Sequence, residues 1–470
     1  MNIQFLGAAK QVTGSQYCIS HEGKTLMIDC GMYQERPYLE RNWSPFVIPP
    51  KEIDAVLITH AHLDHCGLLP KLVHDGFNGP IFTTAASDQL IEIVLRDSAK
   101  IQAEDVKFKL KRHRKEGRTG PHPIEPLYTS EDVDKTIPMI EDVRYSRPFV
   151  PAPGLVATFH DAGHILGSAM IDIRLESKTH PKRVIFSGDV GQGNTPIVRD
   201  PSIFKEADYI VMESTYGDRD HQPEDNPEDT AAQLARYISE TVKRDGSVII
   251  PTFAIERAQE LIYQIGRLIT KGLIPEIPVF LDSPMAGKVT RVFRKHRNLF
   301  DEDAWKRINE GDSPLTFPGL KITESPQESK DLNHLDTPAI IMSTSGMCTA
   351  GRIKHHLKHH ISRPEDLILF VGYQASGTLG RHILNGAKEV RIHGRHHPVR
   401  AQVAQVHGFS GHADRGQLMD WLSHFQTAPK RIFLTHGDGE SAESLANDIR
   451  QKHGWNVHIP VYKEIVKLEE

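Results

Sequence analysis

Directly behind the apolar, β-rich run Ala55 to Thr59, the chain places three imidazoles and a carboxylate (His60, His62, Asp64 and His65) within six positions of the stretch ITHAHLDHCG. Side chains of this kind converge on metal ions only if the chain turns sharply at the mouth of the strand. One loop cannot supply every donor that a zinc site needs, so the fold must carry other ligands to the same place. Histidine is abundant enough for that, at 27 of 470 residues. Three further positions sit at or just beyond a strand or a glycine-rich turn, where a side chain reaches a shared rim: His164 in HDAGHILGSA, Asp189 in FSGDVG and His436 in LTHGDG. Taken singly, each reads equally well as a core histidine or an ordinary turn.

The four cysteines, Cys18, Cys30, Cys66 and Cys348, form no CxxC pair, which excludes a thiolate zinc finger and a disulfide scaffold. With 56 basic and 61 acidic residues the net charge is -5, so no global field draws in a polyanion and any such ligand needs a local patch. No apolar run approaches the roughly 18 residues needed to span a bilayer. The opening MNIQFLGAAKQVTGS has neither a signal-peptide nor a transit pattern, so a cytoplasmic location away from membranes is expected.

Strands and helices alternate along the chain, without a fixed-period repeat. Buried strands are expected at Ala55 to Thr59, Arg183 to Asp189, Tyr209 to Thr215, Ser247 to Phe253, Ala339 to Thr344, Leu367 to Tyr373 and Arg431 to Asp438. A helix should open with Asn226 as N-cap and Pro227 in its first turn, bury Ala231, Leu234, Ile238 and Val242, and stop at Gly246. Together with SVIIPTF and the periodic AIERAQELIYQIGRLI, it reads as a helix-strand-helix portion of a doubly wound sheet. The densest basic run, Lys107 to Arg118, reads as a solvated helix face and loop or as a surface that guides substrate.

ITHAHLDH, with Asp29 in LMIDCG, His164 and Asp189, resembles the four-motif signature of the metallo-β-lactamase fold. Glu213 in MESTYG, His412 in GFSGHAD and His436 in LTHGDG resemble motifs A, B and C of its β-CASP branch of nucleic-acid-processing nucleases. PTFAIERAQEL, DSPMA, STSGMCTAGR and VGYQASGTLGR extend the match over nearly the whole chain. A glutamate at motif A and a histidine at motif C are similar to the RNA-cleaving cleavage-and-polyadenylation-type endonucleases and their prokaryotic relatives. The implied architecture is an α/β fold, an αβ/βα sandwich interrupted by an inserted α/β (β-CASP) domain. Residues 1–216 and 405–470 would form the sandwich and 217–404 the insertion, with single-stranded RNA held between the two.

The resemblance also implies roles. His60, His62 and His164 would hold a first Zn2+, and Asp64, His65 and His436 a second, with Asp189 bridging. Asp29 would steady a ligand imidazole. Two such ions acidify a water and screen charge on the phosphoryl group as the water attacks. Asp64 would orient that water, and His412, kept protonated by Glu213, would give a proton to the departing ribose oxygen. The glycine-rich turns around Gly346 and Ser376, with Arg352 and Arg381, expose N–H groups and positive charge suited to phosphate, although plain turn chemistry accounts for them equally well. No aromatic stacking ladder is visible. The expectation is a zinc-dependent ribonuclease acting on single-stranded RNA, with endonucleolytic cutting and a homodimer allowed. A DNA nuclease, another hydrolase of the fold and a catalytically silent RNA-binding scaffold stay open as alternatives.

Overall fold

The computed structural model describes residues 1–117, 124–175, 181–221, 227–311, 313–375 and 377–468. The chain forms two units. One comprises Met1–Gly193, Asp200–Asp220 and His412–Glu470; the other comprises Asn194–Arg199 and His221–Gly411.

The first unit contains two seven-stranded sheets. One holds β1 (Asn2–Phe5), β2 (Tyr17–His21), β3 (Lys24–Ile28), β4 (Ala55–Leu57), β5 (Ile81–Thr84) and β6 (Ile140–Val143) in that order, with β22 (Ile465–Lys467) antiparallel beside β1. The other is built from β7 (Phe149–Ala152), β8 (Leu155–Asp161), β9 (Ala169–Leu175), β10 (Lys182–Phe186) and β11 (Tyr209–Glu213) in order, continued by β20 (Arg431–Thr435) and β21 (Val457–His458). Successive residues of a strand face opposite sides. Val184 and Phe186 of β10, Tyr209 and Val211 of β11 and Phe433 of β20 therefore share one core with Phe5, Ile19, Leu26 and Leu57 of the facing sheet. Ile185, Ile210, Met212, Ile432 and Leu434 face outward, under Leu418 and Trp421 of helix Arg415–Ser423 and Leu445 and Ile449 of helix Gly439–His453. Both faces are thus covered, which is why these strands read as continuous apolar runs rather than as alternating ones. Each such side chain contributes about 1.5–3 kcal/mol when fully buried.

Helix Ala85–Glu116 buries Leu90, Ile91, Val94 and Leu95 in its first half. Its last turns, which carry Lys107 to Glu116, are largely exposed and end at Gly117, whose left-handed φ of 62° lets its N–H reach the His113 carbonyl. The basic run is a solvated helix end, apart from Arg118, which lies outside the described residues.

The second unit has a six-stranded parallel sheet. Its strands are β12 (Val248–Pro251), β13 (Val279–Asp282), β14 (Leu320–Ile322), β15 (Ile340–Ser343), β16 (Leu367–Phe370) and β19 (Gln402–Gln405), in the order β14-β13-β15-β12-β16-β19. A hairpin of β17 (Glu389–Ile392) and β18 (Arg395–Pro398) stands apart from it. Helix Pro227–Val242 lies where the sequence puts it, although its expected cap Asn226 falls outside the described residues. The next helix, Arg257–Thr270, starts later than AIER suggests, because Glu256 takes a positive φ of 63° and breaks the first turn. The expected boundary at residue 404 cuts through β19, whose parallel pairing with β16 carries the second unit on to Gly411. At the other boundary the first unit runs past residue 216 to Asp220, whose carboxylate binds the Arg415 guanidinium and the Gly416 N–H. Among the described residues no helix is long and apolar enough to cross a membrane.

Candidate metal centre

Every chain segment that carries a candidate ligand leaves the end of a strand in the first unit. After β4 the chain runs through Thr59 and His60 to His62, which precedes the single helical turn Leu63–Cys66. That turn is pinned from outside: the Asp64 carbonyl accepts from the Ser15 N–H (2.8 Å) and the His65 carbonyl from the Cys30 N–H (2.7 Å). A Cβ on Gly31 would lie 1.7 Å from the Asp64 carbonyl oxygen, so only glycine fits there. His164 lies in the loop between β8 and β9, where the Ser168 hydroxyl accepts from its backbone N–H (3.1 Å). Asp189 follows β10. Gly191 brings that loop against His164, since a Cβ there would lie 1.8 Å from the Gly163 carbonyl oxygen. His436 follows β20 with φ 49° and donates its N–H to the Ala8 carbonyl (2.8 Å).

The sequence-expected ligands meet in two sets, His60, His62, His164 and Asp189 in one, and Asp64, His65 and His436 in the other, with the donor atoms of each set within 4.8 Å of one another. In the first set His62 Nδ1 is 3.1 Å from His60 Nε2 and 3.2 Å from His164 Nε2. Asp189 Oδ2 is 3.4 Å from His60 Nε2 and 3.5 Å from His164 Nε2. In the second, His65 Nε2 is 3.1 Å from His436 Nε2, which is 3.4 Å from Asp64 Oδ2; Asp189 Oδ1 is 3.3 Å from His65 Nε2. A tetrahedral zinc with Zn–N bonds near 2.0–2.1 Å sets its donors about 3.3 Å apart. The residues therefore fit the metal. Asp189 Oδ1 is also buried without a hydrogen-bond partner among the described residues, a costly state for a carboxylate oxygen unless a cation faces it.

The charges of the two sets differ. Burial drives His60 down to about 3 and lowers His62 and His164 as well, leaving neutral rings with a lone pair to give. Burial works in the same direction on His65 and His436, but Asp189 with Asp29 and Asp64 outweighs it and raises both. Burial would raise Asp189, yet His436, His65 and His60 hold it well below the usual carboxylate range.

Asp29 accepts from Thr59 at its backbone N–H (2.8 Å) and hydroxyl, and its Oδ2 lies 2.7 Å from His65 Nδ1. The far nitrogen of that ring is thereby fixed toward the donor set. Two threonines missed in the sequence do similar work: Thr59 Oγ1 lies 3.1 Å from His60 Nδ1, and Thr215 Oγ1 lies 3.1 Å from His436 Nδ1. Their only signal was adjacency, one beside HAHLDH and one inside MESTYG.

Glu213 ends β11 and is buried, and one of its oxygens accepts from the Val190 N–H. His412 Nδ1 lies 3.1 Å from its Oε2 and 4.0 Å from Asp189 Oδ2. Burial works against a charge on His412, but Glu213, Asp189 and Asp64 together hold its pKa up at about 9.

The residues expected to contact phosphate belong to the second unit. Gly346 gives its carbonyl to Gln374 Nε2 (3.0 Å), and Arg381 is half-buried in helix Leu379–Leu384. Ser376 lies outside the described residues. Arg352 does not match its expected role. Its Nη1 binds Asp282 Oδ1 (2.7 Å) and its Nη2 donates to the Glu324 carbonyl (2.8 Å), so the guanidinium is taken up as a structural strut.

A family model described as the metallo-beta-lactamase superfamily matches residues 10–236, a Beta-Casp domain matches 258–383, and a Zn-dependent metallo-hydrolase RNA specificity domain matches 396–460. The chain is 38% identical to Ribonuclease TTHA0252 of Thermus thermophilus over 95% of each chain. It is 33% identical to the transcription termination factor FttA of Methanosarcina mazei, over 96% of this chain and 69% of that protein. A solved protein of unknown function from Enterococcus faecalis V583 shares the fold across 99% of both chains, with a TM-score of 0.56 and 12% identity. The chain belongs to the β-CASP branch of the metallo-β-lactamase-fold nucleases.

Proposed function

We propose that this chain is a zinc-dependent ribonuclease that hydrolyses phosphodiester bonds of single-stranded RNA, endonucleolytically, at a centre for two Zn2+ ions. The observation that carries this reading is the division of Asp189: one oxygen faces the set of His60 and His164 and the other faces His65. A carboxylate shared in that way suits a pair of cations rather than one. Support for RNA comes from the 38% identical relative named a ribonuclease, which matches over 95% of both chains, and from the matched RNA specificity domain.

On this reading His60, His62, His164 and Asp189 would hold one ion, and Asp64, His65 and His436, beside Asp189, would hold the other. Bound zinc supplies positive charge that acidifies water toward neutral pH and screens the non-bridging phosphate oxygens. Asp64 orients the attacking water. Glu213 holds the Nδ1 side of His412, so the proton for the departing ribose oxygen comes from Nε2. The same carboxylate favours the protonated ring, as a general acid requires. Asp29, Thr59 and Thr215 turn the ligand imidazoles without touching substrate. The sandwich, expected over residues 1–216 and 405–470, carries the chemistry, and the turn at Gly346 with Arg381 contacts phosphate.

Elemental analysis combined with cleavage assays of His60→Ala and His412→Ala tests the assignment. His60→Ala should lose metal and activity together. His412→Ala should keep its metal while the cleavage rate falls about 10²–10⁴-fold. Equal metal content with full activity in both variants overturns the assignment. Matched RNA and DNA single strands decide the substrate, and preferential DNA cutting rejects RNA.

A further inference from the structure

Outside the metal centre, two large aromatic side chains stand in water at the C-terminal end of the parallel sheet of the second unit. Phe253, two residues beyond β12, is 43% exposed, and Tyr373, three residues beyond β16, is 54% exposed. β12 and β16 are neighbours in register, Val248 beside Leu367 and Ile249 beside Ile368, at the usual strand spacing of about 4.8 Å. The two rings therefore leave adjacent strand ends. The loop after β15 joins them. The Phe253 ring lies against Gly346, where a Cβ would come within 2.7 Å of its Cε2 atom, and Gln374, next to Tyr373, donates its Nε2 to the Gly346 carbonyl (3.0 Å). Gly346 thus lets one ring rest on backbone and is tied to the segment that bears the other.

We infer that Phe253 and Tyr373 form a stacking platform for successive bases of a single-stranded RNA; the inference rests on the RNA reading above. Scattered exposed apolar residues are ordinary, but two aromatics on one rim, at the end of a parallel sheet where open α/β folds bind ligands, are a surface awaiting π-faces. Every base offers such a face, so the platform holds the strand without reading sequence. Exposed arginine or lysine alone would grip only the backbone. The chain's overall charge of -5 supplies no attraction of its own, which leaves stacking a larger share of the hold.

The test uses the full chain carrying His412→Ala, to suppress cutting, and a single-stranded RNA oligonucleotide containing 2-aminopurine. The parent should quench the fluorophore on binding. Phe253→Ala and Tyr373→Ala should each weaken binding about fivefold or more and reduce the quench, while Phe253→Trp retains both. Unchanged affinity and quench in both alanine variants overturn the platform, as does full rescue by Phe253→Leu, which would mean simple apolar cover. If Phe253→Ala lowers the melting temperature by uncovering Gly346, Tyr373→Ala alone decides. A cleavage assay of the chain with His412 intact, on RNA and DNA oligonucleotides of the same sequence, separates the two claims: cutting of DNA alone, with quenching still lost in the alanine variants, keeps the platform and rejects the RNA reading.

Discussion

Asp189 turns one oxygen toward each donor set, and the geometry around it is held by residues outside both sets. Asp29 is the clearest. Its carboxylate touches His65 Nδ1 and both donors of Thr59, and Thr59 in turn lies beside His60 Nδ1. Asp29→Asn keeps the size but can no longer accept at every contact, so His65 is released to rotate. Zinc affinity should fall about 10–100-fold, read by competition with a chromogenic chelator, with the fold intact; an unchanged affinity would remove Asp29 from the centre. At this scale much was legible. His60, His62, Asp64 and His65 announce themselves because four donors in one short stretch have few other uses. Thr59 and Thr215 were not legible, because a hydroxyl has no meaning until its neighbours in space are known. Arg352 was misjudged for a related reason: a basic residue in a glycine-rich turn suits phosphate, and the carboxylate that takes it, Asp282, is far away in sequence.

Asp282 shows how one buried charge ties several elements. It ends β13, and its oxygens receive Thr323 Oγ1 after β14, Ser329 Oγ (2.6 Å) from helix Pro326–Asp331, Arg352 Nη1 (2.7 Å), and His356 Nε2 (2.6 Å) from helix Ile353–His360. Burial works against its charge, but His356, Ser329, Thr323 and Arg352 prevail and hold it at about 2. A carboxyl depressed in the fold below its ordinary 3.8 stabilises above that value, and the contribution is lost as pH falls toward 2. Urea denaturation should therefore show the wild type losing stability between pH 4 and about 2, with a flatter profile in Asp282→Asn over the same window. Asp282→Ala, which leaves Arg352 and His356 facing a hole, should cost about 3–5 kcal/mol at neutral pH. The strands themselves were readable from apolar runs bounded by turns. Their exact ends were not: β19, Gln402–Gln405, is half polar and has no buried residue, so its membership of the sheet is visible only in its pairing.

For the whole molecule, the decisive fact is that the first unit is assembled from both ends of the chain. β20 lies between β11 and β21, β22 closes the edge beside β1, and the core of the second sheet depends on Phe433, Leu434 and Leu445. Truncation after Gly411 should therefore leave no zinc-binding unit, measured as loss of bound metal and rapid proteolysis of residues 1–220; a protease-resistant fragment that retained zinc would contradict this. That arrangement follows from the motif spacing, since the last expected ligand, His436, stands far beyond the others in the chain. It also has a consequence for biosynthesis. A ribosome making this protein sits on the kind of molecule that the finished enzyme cuts. Because the whole second unit lies in the chain between Asp189 and His412, a growing polypeptide that has not yet passed through that unit lacks His412 and His436, and its cutting centre is incomplete.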